Sequence, residues 1–387
     1  MTQINRREAL KLGLSLSAAT SIIGPHALCA APTLDWSEGV IATTMHRMPT
    51  AKDLPNWGYA VSLFLYGQYL VYQRTHDKRH LDYIQAWVDR HISADGVIDR
   101  KIDALDYMLP GNLLLVLYKE TNQPKYKAAA DSIRKTFDTY PRTQDGGLWH
   151  AYSRQHQLWL DGMFMSMPFL VRYGALFNDL TYACDEAAKQ LLIYARHLND
   201  PTTGLMFHAY DESANQPWAA PPGNHSAYFW CRAIGWFGMA LIEVLEIMPQ
   251  THPQRPALIT QLRQLCTAYQ KYQDPATGLW HQIVDKATLP GNWLETSSSS
   301  MYTYTMSRAI ERGYITKQFA PTIKKGYAGV LTKLSRDPEG FAHIADICEG
   351  TNVADLEYYL NRPRSTDDFH GLGAFLIMNE QLRKKTT

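Results

Sequence analysis

Four loops of this chain carry one signature at recurring distance, and that repetition limits the possible folds more than any other feature. Gly147-Leu148-Trp149-His150, Gly204-Leu205-Met206-Phe207-His208, Gly278-Leu279-Trp280-His281 and Gly340-Phe341-Ala342-His343 each run a glycine, an apolar residue and then a histidine. Asp-Pro precedes three of them, at Asp200-Pro201, Asp274-Pro275 and Asp337-Pro338. The glycines stand roughly one helical hairpin apart, counting two helices of about 20 residues and their connections. Between them, apolar residues recur every three or four positions near 36 to 48, 54 to 75, 78 to 92, 103 to 120, 124 to 139, 160 to 175, 178 to 199, 225 to 248, 253 to 273, 298 to 312, 316 to 334 and 367 to 383. That is the period of amphipathic helices, twelve of them in six pairs. No alternating run is long enough for a main sheet, although short strands fit the loops. Repeated hairpins stack into an open superhelix or close into a ring. Six pairs suit closure, and closure brings the histidine-bearing loops to one mouth where a solenoid would string them along a line. The expectation is an all-α (α/α)6 barrel, with residues 31–387 as one catalytic domain.

The N-terminus reads as an export signal of the twin-arginine type over residues 1–30. Arg6-Arg7 precede an apolar stretch from Leu12 to about Gly24, then small residues around Cys29-Ala30-Ala31. The stretch is too short to span a bilayer, so a periplasmic enzyme without a membrane anchor is expected. Cys184, Cys231, Cys266 and Cys348 are widely spaced with no Cys-x-x-Cys pair. They read as buried thiols, one bridge being permitted by an oxidising compartment. A formal net charge of +1 over 387 residues argues against a nucleic-acid partner. The 10 Trp and 23 Tyr supply rings of the kind that line carbohydrate clefts as well as cores. No His-Glu-x-x-His or clustered oxygen-ligand pattern occurs, and neither a metal nor an organic cofactor is expected.

Asp161 is the leading candidate for chemistry. It lies among aromatic and apolar residues in Gln157-Leu158-Trp159-Leu160-Asp161-Gly162-Met163-Phe164. Desolvation there should raise its pKa and let it keep a proton near neutral pH, as a general acid must. The alternative is that it caps the helix beginning at Gly162. Asp106, in Leu105-Asp106-Tyr107-Met108-Leu109-Pro110, is a second acid at a helix entrance with the same two readings. Arg232, within Phe229-Trp230-Cys231-Arg232-Ala233-Ile234-Gly235-Trp236, must find an anion because a buried unpaired charge is costly. Glu212, Asp211, one of the two aspartates or a substrate carboxylate would serve. His150 and His208 flank these segments and read as functional, whereas His281 and His343 read as braces for their loops. The run Glu295-Thr296-Ser297-Ser298-Ser299-Ser300 opens a helix, and its hydroxyls suit either capping or an anion.

Trp159-Leu160-Asp161-Gly162, His208-x-Tyr210-Asp211-Glu212 with Trp218, Phe229-Trp230-x-Arg232-Ala233-x-Gly235-Trp236 and Glu295-Thr296-Ser297 together resemble glycoside hydrolase family 105, the unsaturated rhamnogalacturonyl hydrolases. The unsaturated glucuronyl hydrolases of family 88 are its relatives. The likeness runs in order from about Trp57 onward. It implies an (α/α)6 barrel that removes the terminal 4,5-unsaturated uronic acid left on oligosaccharides by polysaccharide lyases. The reaction implied is hydration: an Asp protonates C4 of the vinyl ether, water adds at C5, and the hemiketal opens to release the next sugar. By motif, Asp161 is the acid and base, and Asp106 the second active-site Asp. Trp57, His150, Trp159, His208, Trp230 and Trp236 correspond to pocket positions, and Arg232 or the serines around Ser298 would hold the uronate carboxylate. The expected partner is such an oligosaccharide, of rhamnogalacturonan or pectin type in preference to ulvan or glycosaminoglycan fragments, met by a monomer or weak dimer. An α/α-barrel sugar epimerase using histidines as acid and base is the alternative from another class.

Overall fold

In a computed structural model that describes residues 35–219 and 221–383, thirteen α-helices account for the helical periodicity. The export-signal segment lies outside the described residues. Six helices pack side by side into a closed inner ring: α2 (Tyr59–Thr75), α4 (Gly111–Thr121), α6 (Gly162–Leu176), α8 (Cys231–Ile247), α10 (Thr296–Glu311) and α13 (Phe369–Leu382), the last returning against α2. Outside them lie α1 (Trp36–Arg47), α3 (Lys78–His91), α5 (Pro124–Thr136), α7 (Leu180–Leu198), α9 (Arg255–Tyr272) and α11 (Ala320–Leu331), each against an inner partner. This is the (α/α)6 barrel, and α12 (Leu356–Leu360) is an extra turn within the last loop.

The sequence explains which helices go inside. Burial runs almost unbroken along α6 and α8, as a helix packed on all sides requires. On the outer α3 and α5 it is confined to one stripe. Small residues set the close approaches: a Cβ on Gly373 would meet the Leu63 backbone at 2.5 Å, where α13 closes the ring on α2.

Connections from inner to outer helices are short, while those from outer to inner are long and lie at the N-terminal ends of the inner helices. The repeat occupies these long loops, and it has five copies. Gly96, Gly146, Gly204, Gly278 and Gly340 all have φ between 76° and 92°, the left-handed region that glycine enters freely. In each loop the glycine N–H donates to a carbonyl three or four residues back, that of Ser93, Thr143, Asp200, Asp274 or Asp337. The copy at Ser93-Ala94-Asp95-Gly96 lacks the histidine that marks the other four in sequence and the Asp-Pro that marks three of them.

Short antiparallel pairs tie the loops together: β1 (Gln157–Trp159) with β2 (Ala209–Asp211), β3 (Trp280–His281) with β4 (Leu294–Glu295), β5 (Leu334–Arg336) with β6 (Ala342–Ile344), and β7 (Ile347–Cys348) with β8 (Arg364–Ser365). Helix boundaries moved most next to them. The expected helix 103–120 is a 3-10 turn at Leu105–Tyr107 followed by α4, which leaves Asp106 on the turn. The expected helix 225–248 begins only at Cys231, because Tyr210, Trp230 and their neighbours bridge to other loops first. Cys184, Cys231, Cys266 and Cys348 are free and buried.

Candidate active site

A cavity of about 320 Å3 opens at the N-terminal ends of the inner helices, where Asp106, His150, Trp159 and Asp161 meet Tyr59, Arg154 and the turn Gly350–Asn352. The ends of six inner helices direct their positive dipole poles toward this mouth, which favours acidic groups and anionic ligands there. Asp161 stands immediately before α6 with helical backbone angles (φ −52°, ψ −39°), and its side chain caps nothing. The capping alternative therefore fails, and the carboxylate faces the cavity.

His208 lies beneath it, fully buried, with Nε2 3.2 Å from Asp161 Oδ2. The contact is one of charge and proximity, because neither atom has a well-aligned hydrogen bond. On its other side His208 Nδ1 is 2.7 Å from the hydroxyl of Tyr359, on α12. With the phenol donating to Nδ1, the proton of a neutral ring sits on Nε2, toward the aspartate. Burial alone would push the Asp161 carboxyl up, but the His208 contact and the charge of His150 outweigh it and hold the group below the usual carboxylate range. Asp161 is desolvated as expected, but its carboxyl is held low where the sequence reading expected it raised.

Asp106 has the raised pKa. Burial pushes its carboxyl up and the charge of Asp161 adds to that, against the opposing influence of His150 and His370. His150 Nε2 is 3.7 Å from Asp106 Oδ1, and its ring lies flat on Trp159 with centroids 4.8 Å apart. The cavity thus holds two carboxyls whose surroundings shift them in opposite directions, Asp106 up and Asp161 down.

Besides His208, five more residues expected at the site lie under it. Arg232 is 1% exposed and donates to the carbonyls of Cys348 and, at 2.7 Å, Glu349, with Nη1 3.9 Å from Glu295 Oε1. Its carboxylate neighbour is Glu295, none of the acids expected from sequence. Ser298 is fully buried: its N–H donates to Glu295 Oε2 at 2.7 Å. Ser297 donates N–H and Oγ–H to the same carboxylate, as does the N–H of Cys348. The helix start does receive an anion, and it comes from the residue just before the helix. Trp230 packs against His208 at 4.6 Å, and Trp236 stacks on Phe164 at 5.0 Å. Trp57 stacks on Trp87 and donates Nε1–H to the Tyr107 carbonyl, steadying the turn that carries Asp106. Sequence could place these rings near the motif residues but could not tell which side of a wall they form.

His281 is buried outside the cavity, and His343 bridges Asp337 and Asp367. The residues that sequence missed are Tyr59, Arg154, Tyr359 and Gly350–Asn352. Arg154 had a usable signal, a cation between His150 and Trp159. Its guanidinium carbon lies 5.1 Å from the Trp159 ring centroid. Gly350–Asn352 sit in irregular chain with no periodicity to flag them. Among the described residues no group of three or more His, Cys, Asp or Glu is placed to hold a metal, and no helix is long and apolar enough to cross a membrane.

The family described as Glycosyl Hydrolase Family 88 matches residues 36–385. A solved glycoside hydrolase of family 105 from C. acetobutylicum ATCC 824 is 33% identical and superposes with a TM-score of 0.87, over 91% of this chain and 100% of that one. A possible family 105 member from Klebsiella pneumoniae superposes with a TM-score of 0.77 at 23% identity, over 96% and 100% of the two chains, which speaks for the fold. The unsaturated rhamnogalacturonyl hydrolase YesR of Bacillus subtilis is 27% identical over 304 residues, 77% of this chain and 80% of that protein.

Proposed function

We propose, from the premise that this chain belongs to the glycosidases of Glycosyl Hydrolase Family 88 and its relative family 105, that it removes a terminal 4,5-unsaturated uronic acid from lyase-generated oligosaccharides of rhamnogalacturonan type. The observation that carries this reading is the pair Asp106 and Asp161, with pKa values driven apart in one cavity. Hydration of a vinyl ether needs one proton delivered to C4 and one proton taken from the water that adds at C5. One carboxyl of such a pair can supply the first proton and the other receive the second, and passing that proton back restores the starting state. Asp106, whose surroundings raise its carboxyl, is assigned the proton delivered to C4, and Asp161, held low, the proton taken from water. The hemiketal formed at C5 then opens and releases the next sugar. Trp159 lines the cavity with His150 stacked on its ring, and Arg154, the arginine or lysine lining the cavity among the described residues, suits the uronate carboxylate. The likeness to YesR supports the rhamnogalacturonan class.

Loss of the ultraviolet absorbance of the conjugated double bond tests the reading. Incubation with unsaturated rhamnogalacturonan fragments should abolish it and release a shortened sugar; persistence on rhamnogalacturonan, ulvan and chondroitin fragments alike would overturn it. We further assign residues 1–30 to export and the remainder to one catalytic domain, to be checked by the N-terminal sequence of protein recovered from the periplasm.

A further inference from the structure

His208 is fully buried between two oxygens, and what it does to Asp161 depends on which of its nitrogens carries hydrogen. Nε2 lies 3.2 Å from Asp161 Oδ2, and Nδ1 lies 2.7 Å from the Tyr359 hydroxyl. An imidazolium would pair with Asp161 and make it a poor acceptor for a proton from water, and a ring with Nε2 bare would turn a lone pair on the carboxylate. Only the neutral ring with hydrogen on Nε2 supports Asp161 as an anion and leaves it basic. We infer that Tyr359 is a positioning residue of the reaction: its hydroxyl occupies the Nδ1 lone pair of His208 and keeps that ring neutral with its hydrogen toward Asp161, so that Asp161 can take the proton from water. This rests on the proposed hydration, since it assigns the preparation of that reaction's base.

The surroundings fix the direction of the phenol hydrogen. Burial pushes the Tyr359 hydroxyl up, against the backbone N–H of Ala354 at its oxygen, and the group stays a donor. An oxygen that already faces one N–H points its own hydrogen elsewhere, and His208 Nδ1 is the acceptor within reach. The other contacts of His208 are uncharged rings, Trp159 with centroids 5.7 Å apart and Trp230 at 4.6 Å. Arg232 lies on Trp230, 4.7 Å from its ring centroid. Around Asp161 the remaining titratable groups are His150, Asp106, Tyr59 and Tyr194. Among the described residues the hydrogen bond at Nδ1 therefore falls to Tyr359, and a hydrogen bond on one ring nitrogen decides the hydrogen on the other.

The single turn α12 holds Tyr359 in place. Asp355 accepts from Tyr358 N–H at 2.9 Å at its start, and the buried Gln282 donates to the Tyr359 carbonyl at 2.8 Å. Tyr358 in turn accepts from Asn352 N–H at 3.0 Å, and Asn352 Oδ1 accepts from Arg154 at 3.3 Å. Adjacent tyrosines of one turn thus steady two different parts of the site, the base through Tyr359 and the cavity's arginine through Tyr358.

Long-range 1H–15N spectra of histidine-labelled protein, with His208 assigned by its loss in His208→Gln, read the ring directly. Wild type should show a neutral His208 with hydrogen on Nε2 across the pH range of activity. Tyr359→Phe keeps the ring that packs on Trp230 and removes only the hydroxyl. Its Nδ1 should then take hydrogen, by a change of tautomer or by a second proton. Either leaves fewer molecules with an ionised Asp161 beside a neutral donor, so the acidic limb of kcat/KM should move to higher pH. The fall in kcat should be about three- to tenfold, the span of one hydrogen bond. Tyr358→Phe, one position away on the same turn, should leave the limb in place. A wild-type ring with hydrogen on Nδ1 or on both nitrogens would overturn the inference, and so would a Tyr359→Phe limb that moves no further than that of Tyr358→Phe. The spectrum needs no turnover, so failure to process any unsaturated substrate would instead remove the hydration itself.

Discussion

Arg232 offers the sharpest test, because sequence suggested a contact with substrate and the structure gives it to Glu295. Arg232→Met removes the cation while keeping an unbranched apolar stem. It leaves the Glu295 carboxylate in a fully buried site, still accepting from Ser297, Ser298 and Cys348. Glu295→Gln acts from the other side: it strands the Arg232 charge and turns one amide N–H2 toward groups that are themselves donors. Removing either partner of a buried ion pair costs about 3–5 kcal/mol. Unfolding entropy of about 2.1 cal/mol/K per residue over about 350 residues gives about 0.7 kcal/mol/K, so each kcal/mol lowers Tm by about 1.4 °C. Each single variant should therefore melt about 4–7 °C below wild type. The double variant should fall short of the sum, with a coupling of about 1–3 kcal/mol, because the second change removes the group that the first left unpaired. Calorimetric melting of the four proteins measures the cycle, and steady-state kinetics on an unsaturated oligosaccharide run beside it should show KM within about twofold for whatever enzyme remains folded. An Arg232→Met protein that melts within about 1 °C of wild type while its KM rises tenfold would refute the reasoning, since the charge would then be spent on substrate and not on Glu295.

Asp161→Asn should stay folded and lose at least about 100-fold in kcat, as loss of a proton-transferring group does; a near-normal rate would return the residue to a structural part. His208→Gln removes the main influence holding Asp161 low, so the acidic limb of the kcat/KM profile should move to higher pH. The linkage has the same sign: a depressed carboxyl stabilises above its unfolded pKa and loses that contribution as pH falls through the folded value, so wild type should resist acid unfolding to lower pH than the variant. Arg154→Met should raise KM with little change in kcat, and an unchanged KM would count against carboxylate recognition. Trp57→Ala should cost about 3–5 kcal/mol, seen as a drop in the melting temperature, by emptying the stack with Trp87 that steadies the Asp106 turn.

Much of the fold was legible because its cause is local and periodic. An apolar stripe every three or four residues makes a helix wherever it lies, and a glycine turn recurring once per hairpin requires a repeat architecture. The fifth turn, at Gly96, escaped because only its backbone follows the pattern. At the site, Asp106, His150, Trp159, Asp161 and His208 were legible as acidic or aromatic residues at odds with their neighbourhood. Arg232, Ser298, Trp57, Trp230 and Trp236, like His208, were placed in the right region and lie behind the cavity wall. One-dimensional order does not say whether a side chain at a helix start turns into the mouth or down into the ring.

By itself the sequence determined the twelve-helix repeat and the carboxyl, imidazole and indole groups available at the mouth, since these follow from spacing and composition along the chain. Only the tertiary structure decided which groups meet. Glu295 lies 63 positions from Arg232 and Tyr359 lies 151 from His208, and ring closure brings each pair together. The proton balance follows from those meetings: Asp161 sits beside an imidazole that stabilises its charge, Asp106 is buried beside that charge, and a carboxyl's pKa depends on what surrounds it in space.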